Sequence, residues 1–82
     1  MDNLKRRVLQ NIYSESGGTL QAKVSKLQYN QNLIGIGEGD LALAIKWLHD
    51  NGYIRKATPS GGNLGVVFLT SLGKYECENF NG

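Results

Sequence analysis

The 82-residue sequence has one cysteine, one proline and one histidine. Cys77 alone closes no internal disulfide, so the fold is expected not to depend on bridges, which fits a reducing, cytoplasmic setting. Lone Cys77 and His49 fall short of the three or four ligands a metal site takes, and no Cys-x-x-Cys or His-x-x-x-His spacing occurs. No run of about 18 apolar residues is present, so no membrane span is expected. Met-Asp-Asn-Leu-Lys-Arg-Arg has no apolar run behind it, so no signal peptide is expected. Charge of one sign is also scarce. Nine Lys/Arg against seven Asp/Glu give +2 and a pI near 8.8, which permits contact with nucleic acid without demanding it. The length implies one small domain with little room for a deep substrate pocket. With 40% apolar and 20% charged residues, near a globular average, a wholly disordered chain is not expected.

Glycine is abundant, with eleven residues that divide the chain into elements. Leu4, Val8 and Ile12, with Leu9 beside them, predict a helix over 3–14 that Asp2 or Asn3 can cap. Gly17-Gly18 ends it. Leu20, Val24 and Leu27 predict a second helix over 20–31, with Thr19 as its cap, although Leu20, Ala22 and Val24 also alternate like a strand. The third helix, 40–51, is the clearest. Leu41, Ala44, Ile45 and Leu48 sit at i, i+3, i+4 and i+7, Asp40 is a suitable N-cap, and Gly52 suits the left-handed exit. Tyr53–Ala57 and Val66–Thr70 predict a hairpin, and Thr70 can cap a last helix from 71. The expected core is Leu4, Val8, Ile12, Leu27, Ile36, Leu41, Ile45, Leu48, Ile54, Leu69 and Leu72.

Three stretches in this order resemble the winged helix-turn-helix family. Ile34-Gly35-Ile36-Gly37-Glu38-Gly39-Asp40-Leu41 is similar to the turn into that family's recognition helix. Ala44 to Ile54, with its Leu48, Gly52 and Ile54, is similar to the end of that helix and the strand after it. Leu69-Thr70-Ser71-Leu72-Gly73 is similar to the Leu-Thr-x-x-Gly step behind the wing. The resemblance implies a mainly α fold with a β-hairpin wing, and a small protein that binds duplex DNA through its third helix and wing. A transcriptional regulator or an accessory factor of a mobile element is the expected role.

No residue set suggests catalysis, so no enzyme and no cofactor are expected. Gly35-Ile36-Gly37-Glu38-Gly39 lacks the Gly-Lys-Ser/Thr ending of a phosphate loop, and Glu38 and Asp40 would repel a phosphate. The acidic residues form no facing pair for acid–base work. Cys77 lies between Glu76 and Glu78, whose charge disfavours a thiolate. His49 and Cys77 both read as ordinary surface or boundary residues.

The basic residues are the functional lead. The resemblance maps Lys23 and Lys26 to the second helix, Lys46 to the third, and Arg55 and Lys56 to the first wing strand, where each would hold a phosphate. Five such contacts imply a slope of log K against log salt of about −4 to −5. Asn51 and Ser60 are further candidates for polar contacts. Two features depart from a DNA reader. Residues 58–65 at the wing tip carry no charge. The outward face of the third helix offers Lys46 but also Leu43 and Trp47, where base-reading polar residues would stand. The alternative is a protein-interaction module that docks a partner, or a second copy, through Leu43, Trp47 and Phe68. A monomer is expected, or a weak homodimer formed through the first and last helices or the apolar patch.

Overall fold

A computed structural model of the chain describes residues 1–25, 33, 35–57 and 66–80. Among these the elements run α1 (Asn3–Ser16), β1 (Val24–Ser25), α2 (Glu38–Asp50), β2 (Ile54–Ala57), β3 (Val66–Leu69) and α3 (Ser71–Phe80). The chain is mainly helical with an antiparallel hairpin, consistent with the winged layout that the sequence implies.

Helix α1 buries Val8, Leu9, Ile12 and Ser16 on one face. Asp2 caps it, accepting from the Lys5 amide at 2.9 Å and pairing with the Lys5 ammonium at 2.6 Å. That partner holds the Asp2 carboxyl below its usual range. The helix ends where the amides of Gly17 and Gly18 turn back to the Ser14 and Tyr13 carbonyls. The Tyr13 hydroxyl donates to Glu78 on α3 at 3.0 Å, tying the first and last helices together.

The helix expected over 20–31 is absent at its start. Leu20 and Ala22 are half-buried, Gln21 and Lys23 exposed, and Val24 buried, which is the period of a strand. Val24 and Ser25 form β1 and pair with Val67 and Val66. Thr19 therefore caps no helix. Pairing prevails because β3 offers a free edge, and a buried Val24 backbone needs partners there. Residues 26–31, including Lys26 and Leu27, lie outside the described residues.

Helix α2 starts two residues earlier than its pattern predicts. Gly37 is the N-cap, with no side-chain capping bond, and Glu38 and Asp40 occupy the first turn. Negative charge there suits the helix dipole. Leu41, Ala44, Ile45 and Leu48 are buried as expected. Gly52 takes φ +83°, a conformation that L side chains rarely adopt. Its amide reaches the His49 carbonyl at 3.1 Å, and the Tyr53 amide reaches Leu48 at 2.9 Å. The reversal turns the chain straight into β2.

The sheet has the order β1-β3-β2, all antiparallel. Val24, Val67, Ile54 and Leu69 are buried on one face, where α1 lies against β3. Helix α3 follows directly. Its cap, Thr70, accepts from the Gly73 amide at 3.1 Å and donates to the Gly52 carbonyl at 2.6 Å. Gly73 lies so close to the turn before β2 that a Cβ would stand 2.1 Å from the Tyr53 carbonyl oxygen. The buried face of α3 therefore runs through Gly73 and Cys77, while Leu72 and Tyr75 are exposed. Leu72 is thus not a core residue, and the expected Leu4 and Ile36 are only half-buried against the core. Leu9, Val24, Leu33, Ala44, Val67 and Cys77 complete the buried cluster.

Ile45 and Leu48 are fully buried, so truncating either to alanine should cost about 2–5 kcal/mol in urea unfolding. Gly73→Ala separates packing from helix propensity. Propensity alone favours alanine by about 1 kcal/mol. The clash with Tyr53 should reverse the sign and destabilise by about 1–3 kcal/mol, and a raised urea midpoint would contradict the close approach.

Candidate nucleic-acid interface

The antiparallel register decides where the strand cations sit. Arg55 pairs with Phe68 and Lys56 with Val67. Val67 is buried in the core face, whereas Phe68 is half-buried on the other face. Arg55 and Lys56 therefore belong to opposite faces of the sheet, and one phosphate strand cannot be gripped by both in the same way. Arg55 is exposed, with its guanidinium 5.2 Å from the centre of the Phe68 ring, a cation–π distance. On the other side of β3, extending the Val24–Val67 register by one residue brings Lys23 opposite Phe68. Lys23 is exposed. It enters the site from the strand side, not from a second helix. The outer face thus carries the row Lys23–Phe68–Arg55, and none of the three strands contains an acidic residue.

The outer face of α2 has different chemistry. It carries Asp40 and Asp50 beside the one lysine, Lys46, with Glu38 in the first turn. The Lys46 ammonium is 2.6 Å from the Asp50 carboxylate one turn on, which holds Asp50 below the usual carboxylate range with help from His49. Asn51 is also engaged locally, its side-chain amide donating to the Trp47 carbonyl at 2.8 Å. Trp47 is half-buried and stacks on Tyr53 with ring centres 5.7 Å apart, so it forms the rim of the core beside the hairpin. Leu43 is 67% exposed.

No protein-family model, curated protein or solved structure matches this chain.

Of the residues singled out by the sequence, Arg55 and Phe68 come together, Lys23 stands just before β1 on the other side of β3, and Leu43 and Trp47 share the α2 face. Lys46 and Asn51 stand apart from the sheet row with partners of their own. Lys26, Ser60 and the wing tip 58–65 lie outside the described residues. Sequence reasoning assigned Arg55 to DNA and Phe68 to a protein partner, and so missed that they form one patch. Their pairing across the hairpin was the available signal. It also missed Leu4, Lys5 and Asp40, which line a groove with Leu43, Ala44 and Trp47.

No helix among the described residues is long and apolar enough to cross a membrane. No group of three or more His, Cys, Asp or Glu among them is placed to hold a metal ion. Cys77 is buried in the core, 4% exposed, rather than at the boundary. Burial, followed by the charges of Glu76 and Glu78, pushes its thiol up from the usual value near 9 to about 11. The direction matches the sequence expectation, but burial is the larger cause.

The folded chain should therefore resist thiol alkylation at neutral pH, and labelling should follow unfolding. A raised folded pKa means that the native state keeps its proton where the unfolded chain loses it. Stability should then be full below about pH 9 and fall as pH rises toward about 11. Replacing Cys77 with serine should remove that component of alkaline destabilisation in urea titrations across this range.

Proposed function

We propose that the chain is a small DNA-binding protein of winged helix-turn-helix type, a transcriptional regulator or mobile-element accessory factor, that holds duplex DNA chiefly through its sheet side. The observation that supports this reading is exposed Arg55 over half-buried Phe68, with exposed Lys23 just before β1 on the other side of β3, beside strands that hold no carboxylate. A phosphodiester backbone meets two cations there, and each neutralised phosphate releases counterions. Phe68 orients the Arg55 guanidinium, which reduces the freedom lost when it takes a phosphate. Helix α2 is a poor base reader, because three carboxylates share it with a lysine already held by Asp50.

The expected binding is electrostatic and weakly sequence-selective. With Lys23 and Arg55 as the main phosphate contacts and Lys56 at the sheet edge, the slope of log K against log salt should be about −2 to −3. That is shallower than five contacts would give. Arg55→Gln should reduce the slope by about one unit and weaken all sequences alike. Lys46→Gln should reduce it by less than Arg55→Gln does, since the Asp50 carboxylate beside Lys46 offsets its charge. The measurement is fluorescence anisotropy with random duplex DNA from low to high salt. No binding at low salt by the folded chain would sink the proposal, and a large loss on Lys46→Gln would return the contact to α2.

A further inference from the structure

We infer that the groove between the first turn of α1 and the outer face of α2 is a self-association surface that receives Leu43 from a second copy of this chain. The groove has a volume of about 310 Å³ and is lined by Leu4, Lys5, Asp40, Leu43, Ala44 and Trp47. Leu43, 67% exposed, stands at this groove as a protruding apolar side chain. Knob and hole thus lie side by side on one surface. That is the arrangement a two-fold axis uses, since the same patch serves both copies and each knob enters the other's hole.

The charges of the groove are complementary in the same sense. Lys5 and Asp40 carry opposite signs and line it together. A two-fold axis sets Asp40 of each copy toward Lys5 of the other. Asp40 makes no hydrogen bond or ion pair among the described residues. Lys5 is already positioned, its ammonium 2.6 Å from Asp2 and 5.3 Å from the centre of the Trp47 ring. It can accept another carboxylate, because an ammonium has three donors. The carboxylates of Asp40 and Asp50 on the same helix disfavour nucleic acid as the occupant. None of the residues lining the groove belongs to the sheet row, so this inference does not rest on the DNA reading.

The test is sedimentation of the full chain from about 10 μM to 1 mM, the range of a weak dimer. The wild-type chain should show a reversible monomer–dimer equilibrium. Leu43→Glu should raise the dissociation constant at least about a hundredfold, because a two-fold axis counts each roughly tenfold loss twice. Tyr75→Glu, at a residue 62% exposed on α3, places the same charge elsewhere and should leave association unchanged. Charge exchange fixes the register. Asp40→Lys and Lys5→Glu should each impair self-association, and mixing the two variants should restore it as a heterodimer. Circular dichroism confirms that each variant is folded. The inference is overturned by a wild-type chain that stays monomeric throughout, by Leu43→Glu associating like wild type, by Tyr75→Glu dissociating as strongly, or by failure of the mixed variants to associate. Salt-dependent DNA binding that persists in Leu43→Glu separates this surface from the sheet row.

Discussion

The register of β3 is the constraint on which both faces of the sheet depend. It pairs with β1 on one edge and β2 on the other, and its alternation sends Val67 and Leu69 into the core. Because side chains along a strand alternate with period two, a slip of one residue would expose those two and bury Phe68 and Val66. The slip is opposed from both sides, since Val24 and Ile54 are buried beside them in the same layer. The register that fills the core therefore also sets the outer row. Lys23 and Arg55 flank Phe68 because Val24, Val67 and Ile54 have to face inward.

The end of the hairpin is fixed by a second contact of a different kind. Gly73 lets the start of α3 approach the Tyr53 carbonyl, and Thr70 ties that start to Gly52 through its hydroxyl. Tyr53 in turn stacks on Trp47. The exit of α2, the entry to β2 and the entry to α3 thus form one junction. It holds Trp47 half-buried and leaves Leu43, one turn earlier, as the apolar residue that protrudes. Two surfaces of opposite character result. The sheet face is cationic and aromatic, while the α2 face is apolar with acidic flanks.

Much of this was legible where a periodic signal repeated along a helix. The stripes of α1 and α2 each span about two turns, so Val8 and Ile12, and Leu41, Ala44, Ile45 and Leu48, are readable as buried. The stretch from Leu20 to Val24 was not, because Leu20 and Val24 fit a helical spacing and, with Ala22, an alternation too. Only the open edge of β3, a partner more than forty residues away, decides between them. In α3 the large apolar Leu72 suggested the wrong face. The buried side is marked by Gly73, the residue with no side chain, because what it meets is backbone. Its charged neighbours make Cys77 read as a boundary residue, whereas helical geometry turns it into the core. For the interface, the i, i+4 spacing of Lys46 and Asp50 already held the information that this cation is engaged. The Lys23–Phe68–Arg55 row needed a register that no local pattern supplies.

The central claim is that the cationic sheet face, and not α2, meets nucleic acid. The most direct measurement is an amide chemical-shift titration of the isotopically labelled chain with a short duplex at low salt. The account predicts shifts concentrated at Lys23, Arg55 and Phe68 and their strand neighbours, with Leu43 to Asp50 nearly unmoved. Shifts concentrated along Leu43 to Asp50, or none anywhere at saturating duplex, would contradict it.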